Sequence, residues 1–143
     1  MPEIRTLSFA ELFEASLLIP EFKPHYPLSE YQKRLDGIPH LSLGAFKEGK
    51  IMGFKSGYEV EPGVFYSWVG GVLPDFRRQQ VARLLAVRQE EWLREKGYHT
   101  LRMKTRNKFR NMLLFAIGNG FKLTKVEQRD GIDDWRIFLE KGL

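Results

Sequence analysis

The spacing of apolar residues divides the chain into extended and helical stretches. Ile4 to Leu7 is short and extended. "SFAELFEASLL" follows with helical spacing, opened by Ser8 as N-cap and Glu11 three residues on in a capping-box pattern. "PEFKPHYP" (20–27) is a proline-punctuated loop, and "LSEYQKRLDG" reads as a second helix with Ser29 near its start and Gly37 at its end. Extended runs then flank the turns Glu48-Gly49-Lys50 and Glu61-Pro62-Gly63, giving an antiparallel meander whose third strand is Val64 to Val72. The pair Gly70-Gly71 in that strand predicts a bulge or a close backbone approach.

Helical spacing returns from Arg77 to Lys96, where Val81, Leu84, Leu85, Trp92 and Leu93 recur on one side and Gly97 is the stop. "TLRMKT" alternates strictly and predicts a strand with one buried face. A helix from about Lys108 to Asn119 follows, with Asn107 as its expected N-cap. "GFKLTKVEQ" and "WRIFLEK" are the final strands, joined by the turn residues of "RDGIDD". The order β-α-α-β-β-β-α-β-α-β-β predicts one α/β (α+β) domain, a mixed sheet with helices on its faces. The apolar last strand, "WRIFLE", could pair across a homodimer or lie within the sheet.

Composition narrows this picture. The 143 residues suit a single domain, and 43% hydrophobic content supplies a core. Having no cysteine excludes disulfides, thiolate metal sites and a cysteine nucleophile. His25, His40 and His99 form no metal-ligand spacing with acids, so no metal is expected. No apolar run approaches the ~20 residues that span a bilayer, and the first residues lack a signal-peptide layout. The expectation is a cytoplasmic protein without a membrane partner.

The net charge of +5 matters only where it concentrates, at Arg77, Arg78 and Arg83 and again in "RMKTRNKFR" (102–110). Such stretches can attract nucleic acid, a membrane or a phosphorylated ligand, or can simply be solvated. Nucleic-acid binding would need aromatics interleaved with the cations, and Phe109 alone meets that, so no nucleic-acid partner is expected.

The junction "GGVLPDFRRQQVARLL" is the most informative segment. A helix opening after a strand presents unpaired N–H groups and the positive end of its dipole, which suits a phosphate or pyrophosphate. The alternative is that its arginines are exposed helix residues. Neither the nucleotide-hydrolase phosphate loop nor the dinucleotide-binding glycine turn is present.

"VLPDFRRQQVARLL" resembles the acetyl-CoA-binding segment of the GNAT superfamily of N-acetyltransferases. Val72, Pro74, Phe76, Arg77 and Ala82 match its usual form, and Gln80 stands where the family generally has glycine. "NKFRNMLLFAIGNGF" is similar to the family's next segment, a helix closing in Gly120-Phe121, and the element order agrees over nearly the whole chain. The resemblance implies a mixed, mostly antiparallel sheet of about six to seven strands with about four helices.

It also implies acetyl-CoA as co-substrate. Amides from Arg77, Arg78, Gln79, Gln80, Val81 and Ala82 would cradle the pyrophosphate, and Val72 and Leu73 would pair with the pantetheine arm. Asn111 and Phe115 would also touch the cofactor. The reaction implied is acetyl transfer to a primary amine on a small molecule or peptide, by direct attack on the thioester. Many relatives carry a tyrosine as acid at the position of Ala116, which has no hydroxyl; with Gln80 this motivates a second reading, an acyl-CoA-binding module without efficient catalysis. Glu59 and Glu61 are the candidate catalytic bases, and His25, Tyr26, Tyr66 and Trp68 are the candidate acceptor contacts.

Overall fold

The computed structural model describes residues 2–143. Its elements follow the expected order: β1 (Glu3–Thr6), α1 (Phe9–Ser16), α2 (Leu28–Leu35), β2 (His40–Lys47), β3 (Lys50–Glu61), β4 (Val64–Val72), α3 (Val81–Glu95), β5 (Thr100–Arg106), α4 (Arg110–Gly118), β6 (Lys122–Glu127) and β7 (Arg136–Gly142). The capping box of α1 is complete. Glu11 N–H donates to Ser8 Oγ at 3.1 Å and Ser8 N–H donates to the Glu11 carboxylate at 2.9 Å.

The strands form one seven-stranded sheet in the order β1-β2-β3-β4-β5-β7-β6, antiparallel throughout except between β4 and β5. β7 therefore lies inside the sheet, and the exposed edge at this end is β6. Of the two places open to "WRIFLE", the fold uses the interior one.

Two cores back the sheet. On one face Leu12, Ala15, Ile19, Tyr31 and Leu35 of the α1–α2 region pack on Phe54. On the other, Val81, Leu85 and Leu93 of α3 pack on Leu41, Leu43, Ala45, Phe65 and Leu101. α4 covers the far end of that second face through Ala116, above Ile137 and Leu139. Burying each large side chain of these clusters contributes about 1.5–3 kcal/mol. No helix among the described residues is long and apolar enough to cross a membrane.

Three local expectations are corrected. α3 begins at Val81, four residues later than its apolar spacing suggested, because Arg78 and Gln80 take left-handed backbone angles (φ 64° and 62°) that no helix accommodates. α4 begins at Arg110 after Phe109, without a side-chain cap. Asn107 instead donates its side-chain N–H to the carbonyl of Ile132, tying the β5–α4 loop to the loop before β7. The bulge of β4 falls at Trp68, while Gly70 and Gly71 pair regularly with Lys55 and Phe54; the close backbone approach, the other expectation there, is present, since a β-carbon on Gly70 would stand 3.0 Å from the Phe54 carbonyl oxygen.

Candidate functional site

The site is built by the separation of β4 from β5. The two strands run parallel only from Val64 beside Thr100 to Ser67 beside Met103. Beyond that point Lys104 to Arg106 pair with β7 alone, and Val69 to Val72 pair with β3 alone. The split starts where the bulge at Trp68 adds a residue to β4, and such bulges increase local twist and bend a strand from its neighbour. Trp68 and Val69 both pack toward the α1–α2 face, as an extra residue between regular pairs requires.

Leu73 N–H donates to the carbonyl of Met52 at 2.9 Å, which fixes the alternation of main-chain groups along this half-strand. Gly71 turns toward β3 like Leu73, so the N–H and C=O groups of Gly70 and Val72 turn to the open side. The Val72 carbonyl is taken by Arg77 Nε at 3.0 Å, leaving its N–H free in the split.

At the top of the split, the loop from Pro74 to Gln80 leads into α3. The N-cap Gln80 makes no side-chain bond to the helix, and the first turn of α3 contains no acid. The N–H groups of Val81, Ala82 and Arg83 thus point out of the helix start unpaired, the first intrahelical bond being Leu84 N–H to Gln80 O at 3.1 Å. The left-handed residues Arg78 and Gln80 bend the loop sharply between the extended Arg77 and the helix start, so that the free amides of α3 open onto the loop. Arg78, Gln79 and Gln80 are exposed around it. The Gln80 side chain thus lies in solvent rather than against the core, and the position favours glycine because of its backbone angle.

Arg77 has a different role from its neighbours. Besides holding Val72 O, it bonds Glu21 at 3.0 Å, and this hydrogen bond, against some burial, lowers the Glu21 pKa. It fastens the loop after α1 to the end of β4. Asn111 is exposed on the first turn of α4 and Phe115 is half-buried on the next.

The other face of the split is aromatic. Tyr26 lies 5.8 Å and Tyr31 5.2 Å from Trp68, ring centre to ring centre, and Tyr58 lies 6.1 Å from Trp68 and 5.6 Å from Tyr66. The Arg34 guanidinium sits 4.4 Å over Trp68 and is bonded to Glu30 at 2.7 Å. Burial pushes the Tyr66 phenol up to about 12, so it is a hydroxyl over the physiological range. Three of the expected acceptor contacts, Tyr26, Tyr66 and Trp68, belong to this one cluster. His25 sits beside it with Nε2 3.1 Å from the carbonyl of Ile19.

The two candidate bases lie elsewhere. Glu59 pairs in register with Phe65 and Glu61 with Val64, three and four residues down β4 from the bulge, or roughly 10–13 Å along a strand. Glu59 accepts a hydrogen bond from Tyr98 at 2.9 Å, where burial and this bond raise the phenol to about 12. It lines a cleft of about 360 Å³ with His40, Trp92 and Lys96, at the opposite end of the sheet from the α3 N-terminus. Glu61 faces Arg102 at 3.9 Å, and Arg102 also meets Glu140 at 3.4 Å. Arg106 meets Asp134 at 3.8 Å, so this basic stretch is interleaved with carboxylates. Among the described residues no cluster of His, Asp or Glu is placed to hold a metal.

One set of groups at the split carried no signal in the sequence. Lys55 of β3 and Gln89 and Glu90 of α3 are polar residues turned into the interface between α3 and the sheet. Lys55 lies between glycines at the alternate positions 53 and 57, and Gln89 and Glu90 lie in the polar run 88–91, so nothing in local spacing separates an inward side chain from a solvated one.

Comparison with known proteins agrees with this geometry. A family model described as the acetyltransferase (GNAT) family matches residues 6–119. No curated protein matches the sequence. Among solved structures, the ribosomal-protein-S18-alanine N-acetyltransferase from Escherichia coli superposes with a TM-score of 0.85 at 18% identity, covering 99% of this chain and 94% of that one. The IAA acetyltransferase from Bacillus cereus gives 0.81 at 16% identity with both chains fully covered. The PaiA N-acetyltransferase from Thermoplasma acidophilum, in complex with coenzyme A, gives 0.76 at 21% identity, covering 100% of this chain and 99% of that one. At these identities the superpositions speak for the fold, and the family model, which spans most of the chain, decides membership: the chain belongs to the GNAT acetyltransferase family.

Proposed function

We propose that the protein transfers an acetyl group from acetyl-CoA to a primary amine. The observation that carries this reading is the half-strand Trp68–Val72, open on one side and leading straight into an uncapped, acid-free helix start. The residues present fit the co-substrate: main-chain groups of Gly70 and Val72 would hold the pantetheine amides as an added strand would, and the amides of Val81 to Arg83 would hold the pyrophosphate. Arg78 and Arg83 add positive charge there. Acetyl-CoA supplies an activated acyl carbon, so the chain's own task is orientation.

The acceptor amine would enter from the aromatic face, between Tyr26, Tyr58, Tyr66 and Trp68. Ring faces and phenol hydroxyls suit an amine carried on an apolar group. Arg34 already covers Trp68 and disfavours a second cation there. With Glu59 engaged by Tyr98 and Glu61 facing Arg102, neither carboxylate is at the split, and the proton of the incoming ammonium leaves through solvent. The basic stretch 102–110, interleaved with acids, gives no support to a nucleic-acid or membrane partner.

A second reading, an acyl-CoA-binding module without efficient turnover, is favoured by one observation. Ala116, at the position where the family resemblance implies an acid, is buried and offers no hydroxyl. Calorimetry with coenzyme A, followed by a thiol-release assay over a panel of primary amines, separates the two. Binding with turnover on at least one amine is expected. Binding without turnover across the panel favours the module, and no binding refutes both.

A further inference from the structure

Lys55 is anomalous among the lysines. It lies on β3 opposite Gly70 of the split half-strand, and its stem crosses the place where Gly70 has no side chain. A β-carbon on Gly70 would stand 3.5 Å from Lys55 Cγ. The residue facing Lys55 from β2 is Leu43, and the charged residue facing it from α3 is Glu90. Glu90 is itself held by Arg94 at 3.2 Å and by Lys141 of β7 at 2.9 Å, where β7 pairs with Leu101 beside the closed half of β4. The Lys55 side chain therefore runs from β3 over Gly70 of the open half-strand, on the side where Glu90 of α3 faces it. Among the described residues, no carboxylate or carbonyl lies within bonding distance of its Nζ.

A neighbouring group is similarly unpaired. Gln89, 1% exposed, has neither amide atom hydrogen-bonded among the described residues. An unsatisfied buried polar group costs about 1–3 kcal/mol. A fold that retains both this unpaired amide on α3 and a free ammonium on the strand facing that helix has polar capacity suited to a polar ligand arm.

Resting on the proposed acetyl-CoA site, we propose that Lys55 Nζ is the proton donor to the sulfur that leaves during acetyl transfer. The new C–N bond forms as the C–S bond breaks, and the electron pair of that bond goes to sulfur. Lys55 gives its proton to the sulfur, and the ammonium is restored from solvent through the open split. The amine's surplus proton leaves to solvent on the other face, so charge and protons balance. Burial lowers the Lys55 pKa to about 8, with Glu90 pulling it back up. A thiol's ordinary value is about 8.5, so donor and acceptor are matched in the range where general acids work well. No donor comes from α4, where Phe115 and Ala116 lack hydroxyls. Tyr66 and its partners pack on the other face.

The test uses the full chain as wild type, K55M and K55R. Calorimetry with coenzyme A comes first, and affinities within a few-fold of one another are expected. Ultraviolet absorbance of the thiolate then follows ionisation of the bound coenzyme A thiol against pH. In the wild type the bound thiol should ionise about one pH unit below free coenzyme A, as a facing cation requires. K55M should abolish that shift and K55R should keep it. Transfer to the best amine of the panel should fall about 100-fold in both variants, since arginine keeps the charge but gives up no proton. Coenzyme A bound equally well by K55M with an unchanged thiol titration would overturn the inference and leave the cofactor site standing. Full turnover in K55R would overturn the proton transfer. No coenzyme A binding by the wild type would refute the proposed function itself.

Discussion

The two halves of β4 differ in almost every respect. Val64 to Ser67 is paired on both edges, and Val64 and Phe65 are buried. Phe65 is fully enclosed against Trp92 and Tyr98, with ring centres 5.8 and 5.2 Å away. Val69 to Val72 is paired on one edge only, contains two glycines and turns free main-chain groups to the gap. The lower half holds the sheet together, and the upper half leaves hydrogen-bonding capacity unspent for a ligand. One added residue at Trp68 separates the two halves, so a single strand both holds the sheet together and leaves main-chain groups open.

The comparison breaks most sharply at Phe65. Phe65→Ala should cost about 3–5 kcal/mol of folding stability, since the ring is fully buried in a packed cluster. Urea unfolding would show the loss as a lower midpoint. Charge reversal at the other end should act on binding instead. Arg78→Glu with Arg83→Glu should weaken coenzyme A about 10- to 100-fold, equivalent to about 1.4–2.8 kcal/mol, while both exposed sites leave the unfolding midpoint nearly unchanged. Equal affinity in calorimetry would remove the α3 start from the site.

Lys55 joins the halves through a stability cost. Its ammonium is depressed in the folded protein, so the folded state releases that proton near pH 8 and the unfolded chain holds it until about 10.4. The unfolded state then binds more protons across this window, and stability contributed by this group rises with pH from about 8 upward. Lys55→Met should accordingly be more stable than the wild type at neutral pH, by about 1–2 kcal/mol, the lower part of the usual cost of an unpaired buried polar group because Lys55 is half-buried. The advantage should shrink toward pH 10, as unfolding at several pH values would show. The smallest effect is at Gln80. Its left-handed backbone costs a side-chain-bearing residue about 1 kcal/mol, and Gln80→Gly should recover part of that as a slightly higher midpoint.

The order of elements was legible because helical and strand periods differ strongly along this chain. Short turns such as Glu48-Gly49 and Pro62-Gly63 punctuate it at backbone angles glycine favours. The helix start was misjudged for a physical reason. Apolar spacing reports which residues face a core, whereas Arg77 to Gln80 are exposed and their conformation follows from the loop. The glycine pair Gly70-Gly71 is visible in sequence as a place for a bulge or a close backbone approach. The bulge's actual position, at Trp68, depends on register with β3, a tertiary property. The aromatic cluster brings Tyr26 and Tyr31 to Tyr58, Tyr66 and Trp68 from distant segments, and only the fold reveals it. Lys55 and Gln89 were illegible for the same reason: their meaning lies in which side of the sheet they face.

The central claim is that the open half of β4 and the start of α3 together receive coenzyme A. Amide chemical shifts of the isotope-labelled protein, followed during titration with coenzyme A, test it residue by residue. The account predicts that Gly70, Val72, Val81, Ala82 and Arg83 move first and furthest, with Val64 and Phe65 nearly still. Shifts centred instead on the cleft around His40, Glu59 and Tyr98, with the upper half of β4 unmoved, would contradict it.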